Sequence, residues 1–301
     1  MTDDHADNGR LMRLATYASV TVSAILITAK LAAWGMTGSV ALLSTLIDSA
    51  LDAAASLINL WAVHHALTPA DREHRFGHGK AEAIAGLGQT AFITGSGGLL
   101  VIEAAERLVH PVPVQNEGIG IAVMVLAIVL TVGLVRFQHY VVSRTRSIAI
   151  TADALHYAGD IMINGSVIVS LAAGMVFGWS FLDPLFAIGI AGYLLWSGWK
   201  IALASLDALM DRELPEEDRQ KIRDIARSHA EVRNLHDLRT RSSGLTGFIQ
   251  LHLELDGAMS LTAAHQIADE VEKAINDAFP TFEVIIHQDP AGIAEAHPDF
   301  H

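Results

Sequence analysis

Asp48 and Asp52 stand four residues apart in one apolar stretch of this 301-residue chain, and His156 and Asp160 stand four apart in another. Positions i and i+4 share a helix face, so each stretch presents a pair of oxygen or nitrogen donors on one side. Ser56 and Asn59 continue the first stripe; Asp153 precedes and Asn164 follows the second pair. An ionisable group inside a spanning helix is costly and is a functional hypothesis by default. Neighbouring carboxylates repel unless a cation or protons neutralise them. Three carboxylates and one imidazole close a tetrahedron around a divalent cation, and an imidazole suits zinc or iron. A structural patch between helices would draw on Ser, Thr, Asn and Gln rather than on three acids. Lys30, in the preceding apolar stretch, either partners these acids or snorkels elsewhere.

Two further clusters have metal-ligand character. Asp71, His74 and His78 are spaced three and four in a polar loop, so a short turn gathers them around one ion, although the same loop serves equally as a solvated connection. Near the C-terminus His252 lies on the polar side of an alternating strand, and His287 and Asp289, two apart, share one face of another. His236 and His265 complete four imidazoles and one carboxylate, enough for two ions if Asp289 bridges.

These residues need helices in a bilayer and a soluble module behind them. Half of the chain is hydrophobic (51%), and only 18% is charged, below the roughly 25% of soluble domains. Six stretches reach the ~20 residues that a spanning helix takes: Leu14–Met36, Val40–Val63, Ala83–Glu103, Ile119–Val142, Ile148–Phe177 and Phe181–Ala204. No cleavable signal peptide is expected ahead of them. Arg10, Arg13, Arg72, Arg75, Lys80, Arg144 and Arg146 all fall on one side, which puts both termini in the cytoplasm. Residues 207–301 hold 19 acidic and 9 basic side chains, a net of about −10. The expected division is a cytoplasmic segment at 1–13, a transport domain at 14–206, an α+β domain at 207–290 and a His-containing flexible tail at 291–301. The last domain opens with a charged helix, Glu216–His229, behind Pro215. Strands follow at Val232–Thr240 and Phe248–Asp256, then a helix at Leu261–Phe279 behind Ser260, and a strand at Val284–Asp289. The acidic balance excludes a nucleic-acid partner. The absence of cysteine excludes disulfides, thiolate metal sites and a cysteine nucleophile.

The stretches Ser44–Asp52, Phe76–Glu82, Ala152–Asp160, His236–Arg241 and Val284–Pro290 resemble the cation diffusion facilitator family, in particular its bacterial zinc and ferrous-iron exporters. The likeness runs from about residue 10 to 290. It implies a homodimer of six-helix protomers, each with a metallochaperone-like, ferredoxin-like cytoplasmic domain, in the bacterial inner membrane. It implies a transport site of Asp48, Asp52, His156 and Asp160, a loop site of Asp71, His74 and His78, and a two-ion site of His236, His252, His265, His287 and Asp289. It further implies that Lys80 and Asp211 form a charge pair locking the dimer, and that Leu155 is an apolar gate. His297 and His301 fall outside the pattern and receive no role.

The implied activity is proton-coupled export of divalent cations by alternating access, with Zn2+ the expected cargo and regulatory ion, and Fe2+ and Cd2+ as further substrates. Metal binding requires unprotonated ligands, so binding expels protons and protons expel metal. His156, whose type titrates nearest neutrality, is the expected coupling residue. An intramembrane metalloprotease is disfavoured because no HExxH stands on a spanning helix. A tail-only metal sensor would have no use for the intramembrane acids.

Overall fold

The computed structural model describes residues 2–38, 40–109, 118–177 and 182–292; His297 and His301 lie outside them. The chain divides into two compact units, one from Ala6 to Leu206 and the other from Asp207 onward together with the first five residues.

Six long helices build the first unit: α1 (Thr2–Thr37), α2 (Val40–Ala66), α3 (Ala81–Val109), α4 (Gly118–Thr145), α5 (Ile148–Phe177) and α6 (Leu182–Leu209). Helix α1 begins a dozen residues before its apolar stretch. Among the described residues, five helices carry windows apolar enough to cross a membrane. Those windows are only 22–33% buried, so most of their apolar surface faces outward, where a soluble protein would keep it inside. Helix α5, with 30 residues, is long enough too and carries the donors Asp153, His156 and Asp160. Its start is fixed locally: Arg146 adopts φ 53°, and the Ser147 hydroxyl accepts the Ile150 N–H at 3.3 Å as an N-cap. Small residues let helices approach. A Cβ on Gly86 would lie 2.6 Å from the Ser205 hydroxyl, so the Ser205 side chain of α6 packs directly on α3 at this glycine.

The second unit runs α7 (Glu216–Arg227), β1 (Asn234–Ser243), β2 (Thr246–Leu255), α8 (Leu261–Ala278) and β3 (Phe282–Pro290). Three acids open α7 and Arg227 closes it, in the order that suits the helix dipole. The Ser260 hydroxyl caps α8 by accepting the Ala263 N–H. The sheet order is β1-β2-β3, with β2 antiparallel to β1 and parallel to β3; the parallel pair is joined across α8, as a parallel connection requires. Alternation on β2 sends Ile249, Leu251, Leu253 and Leu255 into a core shared with Ile222 and Ala226 of α7 and with Ile267, Val271 and Ile275 of α8. Both helices thus cover one face of the sheet, and His252 and Glu254 point to the other. Gly247 allows β3 to close on β2: a Cβ there would sit 2.0 Å from the Phe282 ring.

Candidate metal centres

Helices α2 and α5 bring Asp52 and His156 together across 104 residues, with Asp52 Oδ1 3.0 Å from His156 Nε2. Asp160 Oδ2 lies 4.0 Å from the same nitrogen. One donor atom from each of the three falls within 4.8 Å of the others, close enough to share one cation. Asp48, by contrast, is exposed on α2 and stands outside this trio. Four residues of helix amount to a rise of about 6 Å, so a single crossing point gathers Asp52 before it gathers Asp48. Lys30 of α1 donates to the Ser49 hydroxyl at 2.6 Å and to the Thr45 carbonyl at 3.0 Å, which places its ammonium on the Thr45–Ser49 turn of α2, the turn that carries Asp48.

Asp153 faces another way. It is buried (1% exposed) and accepts hydrogen bonds from Ser19 of α1 at 2.6 Å and Gln138 of α4 at 2.7 Å. Four residues on, the Tyr157 hydroxyl meets Ser23 and Ser56, each at 2.7 Å. Helix α5 therefore carries two polar rows: His156 and Asp160 toward Asp52, Asp153 and Tyr157 toward α1 and α4. The first was legible in the sequence. The second was hidden because Ser19, Ser23 and Gln138 are neutral residues of the kinds that ordinary helix packing in a membrane uses. Asn164 turns back to donate to the Asp160 carbonyl at 2.8 Å. Leu155 packs in a cluster with Ile93 of α3 and Leu194 and Ile201 of α6.

The loop between α2 and α3 is folded by its own residues. Asp71 Oδ1 accepts the N–H groups of His74 at 2.6 Å and Glu73 at 2.9 Å, an Asx-turn, and Gly77 supplies the left-handed φ of 77° that follows. The His74 N–H, with that of Glu73 behind it, holds the Asp71 carboxyl below the usual carboxylate range. His78 Nε2 lies 3.4 Å and His74 Nδ1 3.6 Å from Asp71, and the three offer donors within 4.8 Å of one another. The three lie close enough together to share one cation. Lys80, next along the loop, belongs to the first unit and Asp211 to the second; within its own unit Asp211, at φ 57°, lies 3.5 Å from Arg241.

Strand register builds the last cluster. His236 is paired directly with His252 across β1 and β2, and His252 with His287 across β2 and β3, so three imidazoles form one row over the sheet. Asp289, 6% exposed, stands two residues along β3 on the same face and touches all three: His252 at 2.7 Å, His287 at 3.0 Å and His236 at 3.4 Å. The donor set, two or three imidazole nitrogens around one carboxylate, fits a divalent transition metal. His265 sits on the exposed side of α8 with Asp269 at 3.6 Å, and its donors are not among the gathered ones. Two acids that sequence reading passed over join the cluster. Glu254 lies 3.1 Å from His236 Nδ1; as the second residue after His252, it shares the same strand face, so alternation alone points to it. Asp237, 3.9 Å from His252, is turned inward by an irregularity of β1 between His236 and Arg239, which alternation does not foretell.

Residues 16–210 match the family model for the cation efflux transmembrane domain, and residues 214–291 that for the cation efflux protein cytoplasmic domain. The chain is 46% identical over 288 residues to the cation-efflux pump FieF of Klebsiella pneumoniae, covering 96% of each. It is 46% identical over 285 residues to the FieF of Escherichia fergusonii, covering 95% of each. The metal-bound C-terminal domain of the CzcD transporter from Thermotoga maritima is 30% identical, covers 26% of this chain and 93% of its own, and superposes with a TM-score of 0.26.

Proposed function

The chain belongs to the cation efflux, or cation diffusion facilitator, family and is a multi-span membrane transporter rather than an enzyme; from that premise we propose that it exports divalent transition-metal cations, zinc first, in exchange for protons. The observation that carries this reading is the meeting of Asp52, His156 and Asp160 from α2 and α5. Acids in a span bind a cation or protons but not both at full occupancy, so a site of this composition exchanges one for the other as it opens to each side. His156 is the coupling residue, because an imidazole changes charge nearest neutral pH. Asp48 joins the trio when the helices turn, and Leu155, packed against α3 and α6, is the apolar contact that parts as they move. One His among the acids favours zinc over manganese or calcium, and Fe2+ and Cd2+ share that preference.

In this reading the cytoplasmic row His236, His252, His287 and Asp289, with His265 recruited from α8, holds up to two regulatory ions, and the loop trio holds another. Bound cations offset the repulsion between two acidic domains, which favours a homodimer. The distribution of Lys and Arg supports cytoplasmic termini, and an exporter of this topology acts in the bacterial inner membrane. The test is metal uptake by proteoliposomes across an imposed pH gradient. Zinc should enter with proton counterflow, and Asp52→Ala should reduce uptake at least ~10-fold while leaving the folded protein intact. Uptake at the parent rate in Asp52→Ala refutes the assignment of the site.

A further inference from the structure

We propose that His65 is a further ligand of the loop cation site, closing Asp71, His74 and His78 into a four-donor set; this rests on the reading of that loop as a cation site. His65 stands half-buried in the last turn of α2, one residue before the helix ends. Its ring lies 4.6 Å from that of His78, edge-on at 64°, and the His78 ring lies 4.6 Å from that of His74. The three imidazoles therefore form a chain of ring contacts through His78, with Asp71 beside His74 and His78; the His65 nitrogens are not among the donors already gathered within 4.8 Å there. One turn earlier on α2, Trp61 stacks on His65 at 5.4 Å with the planes 6° apart, which fixes where the ring stands.

The chemistry follows from which nitrogens are committed. His78 Nδ1 faces the Thr68 carbonyl at 3.3 Å, the outer contact that typically orients a metal-binding imidazole. Its Nε2, beside Asp71, is then the nitrogen turned to the ion. Asp71 and His74 approach from the loop. Three protein donors leave one position of a tetrahedron, which solvent fills in an open site and a fourth side chain fills in a closed one. His65 approaches from the helix side, and a half-turn about its Cβ–Cγ bond, a broad sp³–sp² torsion, exchanges the ring edge it presents to that position while keeping the plane stacked on Trp61. A closed set ties the end of α2, the helix carrying Asp52, to the turn that follows it, and it releases its ion slowly.

The experiment uses the full-length protein in detergent, with Asp52→Ala, His236→Ala and Asp289→Ala silencing the other centres and Co2+ as the probe. The parent background should bind one Co2+ with the intense visible absorption of a four-coordinate ion. His65→Phe keeps the ring stacked on Trp61 and removes the donor; it should weaken binding at least ~10-fold and shift the visible bands as solvent oxygen replaces an imidazole nitrogen in the fourth position. His65→Cys should recover the affinity and add a sulfur-to-cobalt band in the near ultraviolet. If His65→Phe keeps the parent affinity and spectrum while His74→Ala loses both, His65 is not a ligand and the loop site stands without it. If the background binds no Co2+ at all, the loop reading itself falls, and this inference with it.

Discussion

Asp289→Asn preserves shape and deletes one charge, which makes it the most direct perturbation of the cytoplasmic centre. The carboxylate is 6% exposed and lies 2.7, 3.0 and 3.4 Å from His252, His287 and His236, so it is the one anionic donor common to three imidazoles. Removing one partner of a buried charged contact costs ~3–5 kcal/mol. At the lower end, ~3 kcal/mol weakens zinc binding ~100-fold. An ion that binds only the folded form, supplied at ~100 times its Kd, stabilises that form by ~2.7 kcal/mol and slows globally gated amide exchange ~100-fold. The same zinc concentration then merely equals the Kd of Asp289→Asn, and the factor falls to ~2. The assay is hydrogen exchange along β2, from Ile249 to Leu255, in the full-length protein with and without zinc. Comparing each variant with its own zinc-free baseline removes any change in intrinsic folding. Zinc protection near 100-fold surviving in Asp289→Asn refutes Asp289 as a ligand.

Three further outcomes follow from the geometry. His156→Ala should leave some metal binding at Asp52 and Asp160 but flatten the dependence of transport on pH near neutrality, as read in proteoliposomes; a pH profile identical to the parent removes His156 from proton coupling. The Asp71 turn draws its stability from the ionised carboxylate, whose pKa is lowered by the N–H groups of His74 and Glu73. That contribution is therefore complete above the ordinary carboxylate value of about 4 and is lost only as pH falls through the lower folded value. Protection of the His74 and Glu73 amides, corrected for intrinsic exchange, should accordingly hold from pH 7 to pH 5; loss in step with imidazole protonation contradicts this. Leu253 is fully buried between the sheet and its helices, and Leu253→Ala should cost ~2–5 kcal/mol, seen as faster exchange of the β2 amides with little change in zinc selectivity. A cost below ~1 kcal/mol would contradict the packing described.

Much of the molecule was legible in the chain because its signals are local. Long apolar runs gave the helices, and charge depletion separated them from the acidic module. The i, i+4 spacing placed His156 beside Asp160, and period-two alternation turned His252 away from Leu251 and Leu253. These patterns depend only on the pitch of a helix or the pleat of a strand, so one element suffices to read them. Element ends were less legible: α1 starts well before its apolar stretch, and β1 is displaced to Asn234–Ser243, since fraying, caps and pairing decide boundaries.

Meetings between elements were decided by the tertiary structure alone. The sequence paired Asp48 equally with Asp52, yet the crossing of α2 and α5 gathers only Asp52 with His156 and Asp160. Strand register, not spacing, lined up His236, His252 and His287 and left His265 on the outer side of α8. Asp153 resembled a site residue by position, but packing of α1 and α4 gave it Ser19 and Gln138 as partners. His65 acquired a neighbour in His78 only when the loop folded back. A single element's periodicity fixes the direction in which a side chain points; what it meets depends on crossing angles and register, which the packing of every other side chain sets together.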